Sequence, residues 1–358
     1  MYQGQGKENI FEAIKMVSPG TVLREALENI VRAKTGALIV VADSKEVMET
    51  VDGGFNINSE FIPAYLYELA KMDGAIILNH NCTRILYANT QLIPRFDIDS
   101  KETGTRHRTA ERVAKQTNEL VISISERRNI ITLYKGEHKY VIREISNILN
   151  KANQAIQTLE KYKVVLNQTI INLSALEFED LVTIADVTKV LQRTEMVRRI
   201  AVEIEKYILE LGNEGRLISM QLEELTNNVE EDGLYVIMDY ERREEEYSFE
   251  DIRKEIKQLS SEELLEPQNI SYILGYGYDI NSLEQGICPR GYRILSRIPR
   301  LPSNVLENLI SNFETFQEIL KASTRDLDKV EGIGEVRART IKDGLRRFQE
   351  QSLLDRHI

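Results

Sequence analysis

The 358-residue chain has only two cysteines, Cys82 and Cys288, and four histidines. Two cysteines cannot build a disulfide framework. The absence of Cys/His clusters argues against structural zinc, and so few cysteines read as those of a protein from a reducing cytoplasm. Long apolar runs are missing as well. The longest, residues 37–42, has the length of a buried strand and not of a membrane span. Residues 1–17 hold no apolar core of signal-peptide length. A soluble, unsecreted protein with no membrane partner is therefore expected. A clustered acidic nuclease site and a ligase lysine motif are also missing, which disfavours those two DNA-repair chemistries.

The length exceeds what one hydrophobic core usually supports, so two or three domains are expected. The net charge of −11 would argue against nucleic acid as a partner, but the charge is unevenly spread. Residues 223–266 carry 16 acidic and 5 basic side chains, whereas residues 288–358 carry 10 acidic and 13 basic. The acidic stretch reads as a solvated helical face. The basic tail is the part suited to phosphate.

Residues 1–142 alternate helical and strand patterns at short intervals, which predicts an α/β domain with a mixed sheet flanked by helices. Thr21 is expected to cap a helix running to Lys34, with Val22, Leu23, Ala26, Leu27, Ile30 and Val31 on one face and Gly36 just past its end. Strands are expected at 37–42, 75–78, 84–88, 120–125 and 130–134, and a helix from Ser59 or Glu60 to Lys71. After Arg143, apolar residues from Ile145 to Leu173 recur at three- and four-residue steps without Gly or Pro. This predicts one very long helix or a joined pair, and an all-α spine over 143–287. Bundling within the chain and a coiled-coil role both fit that spacing. Composition shifts again at Cys288, and 288–358 reads as a third unit.

Two short motifs in the first domain carry chemistry. Asp73, Gly74 and Ala75 put a carboxylate beside a residue without a side chain, at the edge of the strand 75–78. Alone, this reads as a turn; Gly74 would also let a ligand approach the backbone. The run from Gly104 to Ala110 is more telling. Thr105, Arg106, His107, Arg108 and Thr109 crowd two guanidiniums, an imidazole and two hydroxyls onto a predicted helix start. Helix N-termini offer free N–H groups and favour acidic side chains, so cations stacked there point to an anion such as phosphate. The alternative is a solvated basic loop.

With Tyr87 to Leu92 and Ser123 to Arg128, these motifs resemble the diadenylate cyclase family. With its spine and terminal hairpin, the whole chain is similar to the DNA-integrity-scanning members of that family. The resemblance implies condensation of two ATP into cyclic di-AMP and two pyrophosphates, each 3′-hydroxyl attacking the opposite α-phosphate. It implies that Asp73 holds Mg²⁺ or Mn²⁺ and helps polarise the hydroxyl. Arg106 and His107 would neutralise phosphates, and Thr109 would donate a hydroxyl. Gly74 and Leu92 would border the nucleotide, and Ser125 and Arg128 are further candidates. Thr105 is expected to act through its backbone. Arg108 is either a phosphate contact or a structural residue paired to a carboxylate, and His107 as general base stays open. One copy of each motif per chain is half of a symmetric site, so two subunits must face each other about a two-fold axis. The family implies an octamer.

In the tail, Leu327, Val330, Gly332, Ile333, Gly334, Ala338 and Ile341 match a helix-hairpin-helix element. Gly332 and Gly334 let the backbone approach a phosphate, and Arg337 and Arg339 add cations. Such a grip predicts DNA binding with strong salt dependence and without sequence specificity. Branched or damaged DNA and a nucleoid-associated, cytoplasmic location follow from the family. Residues 298–302 occupy the place of a partner hairpin without its glycines and read as a degenerate half that packs. The rival to a DNA-coupled cyclase is a non-enzymatic, ATP-sensing DNA-binding scaffold.

Overall fold

The computed structural model describes residues 10–243 and 248–355. The first part contains α1 (residues 10–16), α2 (Val22–Arg32), β1 (Ala37–Val41), α3 (Lys45–Met48), β2 (Val51–Asp52) and β3 (Phe55–Glu60). It continues with α4 (Pro63–Leu69), β4 (Ala75–Leu78), β5 (Arg84–Leu92), α5 (Thr105–Thr117), β6 (Leu120–Ser125), β7 (Ile130–Lys135) and β8 (His138–Val141). The strands form a mixed sheet in the order β2-β5-β4-β1-β6-β7-β8, with β3 also paired to β5.

Alternation along β1 explains the layering. Ala37, Ile39 and Val41 pack with Leu23, Ala26, Leu27 and Ile30 of α2, and Leu38 and Val40 pack with Ala110, Val113 and Ala114 of α5. Both faces are therefore covered by helices, and every β1 side chain is buried. Each such aliphatic side chain withdrawn from water stabilises the layer by about 1.5–3 kcal/mol.

Several expectations need correction. α2 is capped by Thr21, whose hydroxyl accepts from the Arg24 N–H as expected, but the left-handed residue past its end is Lys34 (φ 55°), not Gly36. Val22 is exposed, and Arg24 is buried in its place against Glu28. Ser59 and Glu60 lie in β3 instead of opening a helix; α4 starts at Pro63, whose fixed φ and missing N–H suit a first helical position. β5 continues four residues beyond the expected 84–88 to Leu92. The β4 strand that follows Asp73 is internal to the sheet.

Past the sheet, α6 (Ile145–Glu179) is a single helix of 35 residues and α7 (Ile184–Leu211) one of 28. After a 3-10 turn at Gly212–Gly215 come α8 (Arg216–Thr226), α9 (Val229–Tyr240), α10 (Phe249–Gln258), α11 (Ser261–Leu265) and α12 (Pro267–Ile273). The tail holds α13 (Tyr292–Leu295), α14 (Ser303–Asn312), α15 (Phe316–Lys321), α16 (Thr324–Asp328) and α17 (Glu335–Asp355).

The chain divides into two compact units, residues 1–154 with 204–220, and residues 155–203 with 221–358. Inside the second unit the end of the spine is built into the tail's core. Phe178 of α6 meets Phe316 edge-on at 5.6 Å, and the buried Glu177 carboxylate pairs with the buried Arg293 guanidinium and accepts from the Tyr240 hydroxyl at 2.7 Å. Asp239 accepts from the N–H groups of Gly291, Tyr292 and Arg293 at 2.7, 2.6 and 3.0 Å and so caps α13. Each Glu177 oxygen has a donor, Tyr240 on one side and Arg293 on the other, while the buried Arg293 Nε is left without a partner among the described residues.

Candidate functional site

Sheet topology decides where chemistry can collect. β1 and β4 are parallel neighbours with Leu38 beside Ala75, so Gly36 and the pair Asp73 and Gly74 precede adjacent strands at one end of the sheet. β5 and β6 run the opposite way, with Thr90 beside Ala75 and Ile124 beside Ala37, which brings Leu92 and Ser125 to that same end. The start of α5 arrives there too: a Cβ added to Gly36 would sit 2.0 Å from an Arg106 guanidinium nitrogen. Gly36, which the sequence offered only as a helix terminator, is thus the bed on which Arg106 lies.

The start of α5 is bare. Gly104 is its N-cap, no side chain caps it and its first turn has no acidic residue. The first intrahelical bond runs from the Arg108 N–H to the Gly104 carbonyl at 2.8 Å, so the preceding N–H groups are the orphans every helix leaves. Thr105 is exposed; Arg106 is half-buried and, among the described residues, makes no ion pair. Arg108 is exposed and its Nε donates to the Glu102 backbone carbonyl at 3.2 Å, so its tie is to a carbonyl and not to a carboxylate. Thr109 is half-buried one turn further on.

His107 is held from below. Its Nδ1 lies 3.0 Å from the hydroxyl of Tyr134 on β7, which donates to Glu102 Oε1 at 2.9 Å, and Lys139 of β8 pairs with the same carboxylate. Burial pushes the Glu102 carboxyl up, yet the bonds from Lys139 and Tyr134 outweigh it and hold the group below the ordinary range. Burial lowers the His107 value, and Lys139, Arg106 and Arg128 lower it further against the opposing pull of Glu102. Tyr134 is pushed far up, first by burial and then by Glu102, so it stays a protonated donor.

Asp73 is exposed at the head of β4 and, among the described residues, forms no ion pair. Those residues contain no group of three His, Cys, Asp or Glu that could hold a metal. A single free carboxylate fits a hard divalent ion whose other ligands are water and substrate phosphates, the usual pattern for Mg²⁺. Gly74 has φ 93°, and a Cβ there would meet the Thr90 carbonyl at 2.8 Å, so β5's backbone already demands glycine whatever binds. Leu92 is buried in the core under α5. Ser125 Oγ accepts the Arg128 N–H at 3.3 Å, and the Arg128 side chain is exposed.

Glu102, Tyr134 and Lys139 escaped sequence reasoning. Only the strand alternation that puts Tyr134 on the α5 face signals its place beneath His107.

In the tail the hairpin between α16 and α17 is formed as expected. Gly332 is left-handed (φ 85°), and a Cβ on Gly334 would meet nothing within 4 Å, leaving the backbone open to a ligand. Ala338 is fully buried at the helix contact. Arg337 donates to the Gly332 carbonyl at 2.6 Å and braces the turn, while Arg339 pairs with Glu335 at 2.5 Å on the surface. The segment 298–302 joins α13 to α14 as a second hairpin. Arg300 there is exposed and left-handed (φ 63°), in the position that Gly332 takes in the other hairpin. A cavity of about 680 Å³ between this hairpin and α17 is lined by Arg297, Arg300, Arg337 and Arg347 together with Phe348.

Three family models match the chain in succession. The DisA bacterial checkpoint controller nucleotide-binding domain matches residues 24–139, the DisA bacterial checkpoint controller linker region 142–283, and a SAM-like helix-hairpin-helix tandem 292–347. The DNA integrity scanning protein DisA of Clostridium perfringens (strain SM101) is 58% identical over 351 residues, 98% of either chain. Its counterpart in Clostridioides difficile is 57% identical over the same share, and that of Carboxydothermus hydrogenoformans 59% identical over 96% of this chain and 98% of its own.

Proposed function

The chain belongs to the DisA family and is a diadenylate cyclase with a DNA-binding helix-hairpin-helix tail, and on that premise we propose that it couples synthesis of cyclic di-AMP to the sensing of branched or damaged DNA. The observation that carries the catalytic half is the convergence of Asp73, Arg106, His107, Ser125 and Arg128 on one end of the sheet, beside an uncapped helix N-terminus.

Such a site is rich in cations and free N–H groups and poor in nucleophiles. That is what phosphoryl transfer needs, because positioning and charge neutralisation do most of the work. Arg106, fixed on Gly36, and Arg128 neutralise the triphosphate. The N–H groups of Thr105 and its neighbours and the Thr109 hydroxyl orient it, while Gly74 and the backbone at Leu92, whose side chain is buried under α5, border the nucleotide. Asp73 would hold Mg²⁺ or Mn²⁺, which when bound supplies charge neutralisation on the phosphates and acidity to the attacking hydroxyl. Arg108, turned back to Glu102, shapes the loop before α5. Two such half-sites face each other across a two-fold axis in a homo-oligomer, which the family implies is an octamer.

The three parts, 1–142, 143–287 and 288–358, are the cyclase, the spine and the DNA sensor. In the sensor the backbone at Gly332 and Gly334 takes one phosphate, and the guanidinium of Arg300 adds a second contact at the other hairpin, with Arg337 and Arg339 beside them. Contact through phosphates gives little sequence preference. The continuous helices α6 and α7 each supply residues to both compact units and are the route of coupling. No described helix is long and apolar enough to cross a membrane. The DNA-binding tail is what supports a cytoplasmic, nucleoid-associated location.

The test is mass-spectrometric product analysis of purified protein with ATP and Mg²⁺ or Mn²⁺, with and without a four-way DNA junction. Cyclic di-AMP at a rate that changes with the junction is expected. A rate indifferent to saturating junction DNA would remove the coupling, and ATP binding without product would remove the catalytic assignment.

A further inference from the structure

The hydrogen-bond chain beneath His107 fixes which of its two nitrogens carries the proton. Glu102 is an anion stabilised by Lys139 and can only accept, so the Tyr134 hydroxyl must spend its one proton on Glu102. That leaves the hydroxyl's lone pair for His107 Nδ1, which must therefore be the donor across the 3.0 Å contact. Nε2 lies on the other side of the ring and, among the described residues, has no hydrogen-bond partner. The charged groups acting on the ring are Glu102 on one hand and Lys139, Arg106 and Arg128 on the other, and with burial the balance keeps it neutral. A neutral ring with a bare Nε2 repels a phosphate oxygen and accepts a hydroxyl proton.

Building on the cyclase reading, we propose that Tyr134 and Glu102 are positioning residues that hold His107 as the Nδ1–H tautomer, so that Nε2 accepts the proton of the attacking 3′-hydroxyl. As the 3′-oxygen bonds to the α-phosphorus, the bond from that phosphorus to the bridging oxygen breaks and pyrophosphate leaves with its electron pair. The hydroxyl proton passes to Nε2, and the resulting imidazolium is balanced by Glu102 through Tyr134. It returns to solvent after product release. Arg106 and Arg128 carry the permanent positive charge, so the three central residues of the α5 start divide into a phosphate clamp (Arg106), a proton acceptor (His107) and a loop brace (Arg108).

The decisive readout is nitrogen-15 NMR of the full-length protein labelled at histidine, with a His107→Gln variant to assign the signal. The wild type should show Nδ1–H, and Tyr134→Phe should lose that preference. The same variant should lower kcat about 10- to 100-fold with the KM for ATP unchanged, because a general base held wrongly loses rate rather than binding. Glu102→Gln keeps an acceptor for the Tyr134 hydroxyl. It should retain the tautomer and more activity than Tyr134→Phe, with the acid limb of the kcat profile moved to lower pH as the supporting anion is gone. A wild-type Nε2–H tautomer, or Tyr134→Phe with unchanged kcat and pH profile, would overturn the proposal. A protein that makes no cyclic di-AMP but shows the Nδ1–H form would sink the cyclase reading separately.

Discussion

The starts of α5 and α17 are two solutions to one problem. Each follows a glycine, each leaves its first N–H groups unpaired, and each is suited to an anion. They differ in what surrounds them. The α17 start is almost self-sufficient: Gly332, Gly334 and the brace from Arg337 to the Gly332 carbonyl lie within six consecutive residues. The α5 start collects partners from β1, β4, β6, β7 and β8, with Gly36, Asp73, Ser125, Tyr134 and Lys139 each coming from a different stretch of chain. A grip on a phosphate backbone needs only N–H groups and access. Moving a phosphoryl group needs several charges fixed around one point, and only a buried framework holds them there.

Substitutions that affect one region and spare the other sharpen this contrast. Asp73→Asn should reduce cyclic di-AMP formation by at least about 100-fold, since it removes a charge-stabilising group at the reacting centre, while DNA affinity stays at the wild-type value. Wild-type turnover in this variant would break the site assignment. Gly36→Ala comes next. Its Cβ displaces the flexible Arg106 guanidinium and presses only slightly on the Ile124 carbonyl at 3.1 Å, so the melting temperature should fall little while turnover falls about 10- to 100-fold, the usual cost of a misplaced catalytic charge.

Gly334→Ala is the matching change in the tail. Because its Cβ meets only open space, stability should be unchanged and DNA affinity, measured by fluorescence anisotropy, should fall about 10- to 150-fold, the loss of one charge-assisted hydrogen bond of roughly 1.5–3 kcal/mol. If the affinity were unaltered, the hairpin backbone would not be the contact. Arg300→Gly tests the other hairpin. Glycine accepts the left-handed backbone that Arg300 holds at a cost of order 1 kcal/mol or more, so the variant should be no less stable, and the slope of log K against log salt should shrink by about one phosphate contact. The smallest effect concerns α16. Its cap Ser323 and then Lys329 hold the Asp326 carboxyl down to about 2. A depressed carboxyl contributes stability above its unfolded value that is lost as pH falls toward 2. The hydrogen-exchange protection of α16, corrected for the intrinsic rate, should therefore fall over that acid window, and Asp326→Asn should flatten the response.

Much of this molecule is legible in its residues. The apolar 37–42 strand, the long helix after Arg143, the Thr21 cap and the Gly332–Gly334 hairpin follow from local rules of period, capping and turn chemistry, and all are present. Short strands such as β2, β3 and β8 were not foreseen, because their half-buried alternation is not carried by apolar residues and Phe55 and Val141 are exposed. At 298–302 the place of a second hairpin was legible, but not that Arg300 would hold its left-handed turn, since a non-glycine residue in that region gives no sequence signal. The motif residues were visible as chemistry but not as a constellation. Their composition suggested a phosphate; nothing in it suggested that Gly36 would cradle Arg106 or that Tyr134 would orient His107.

The helix starts, the glycines and the cations available at each of them follow from neighbouring residues, because capping and turn geometry act over a few positions. Long-range packing sets which of those cations is clamped, which is braced and which His107 nitrogen carries the proton. Those choices depend on the register of β1 against β4 and β6 and on the burial of Tyr134 beneath α5, contacts between residues far apart in the chain.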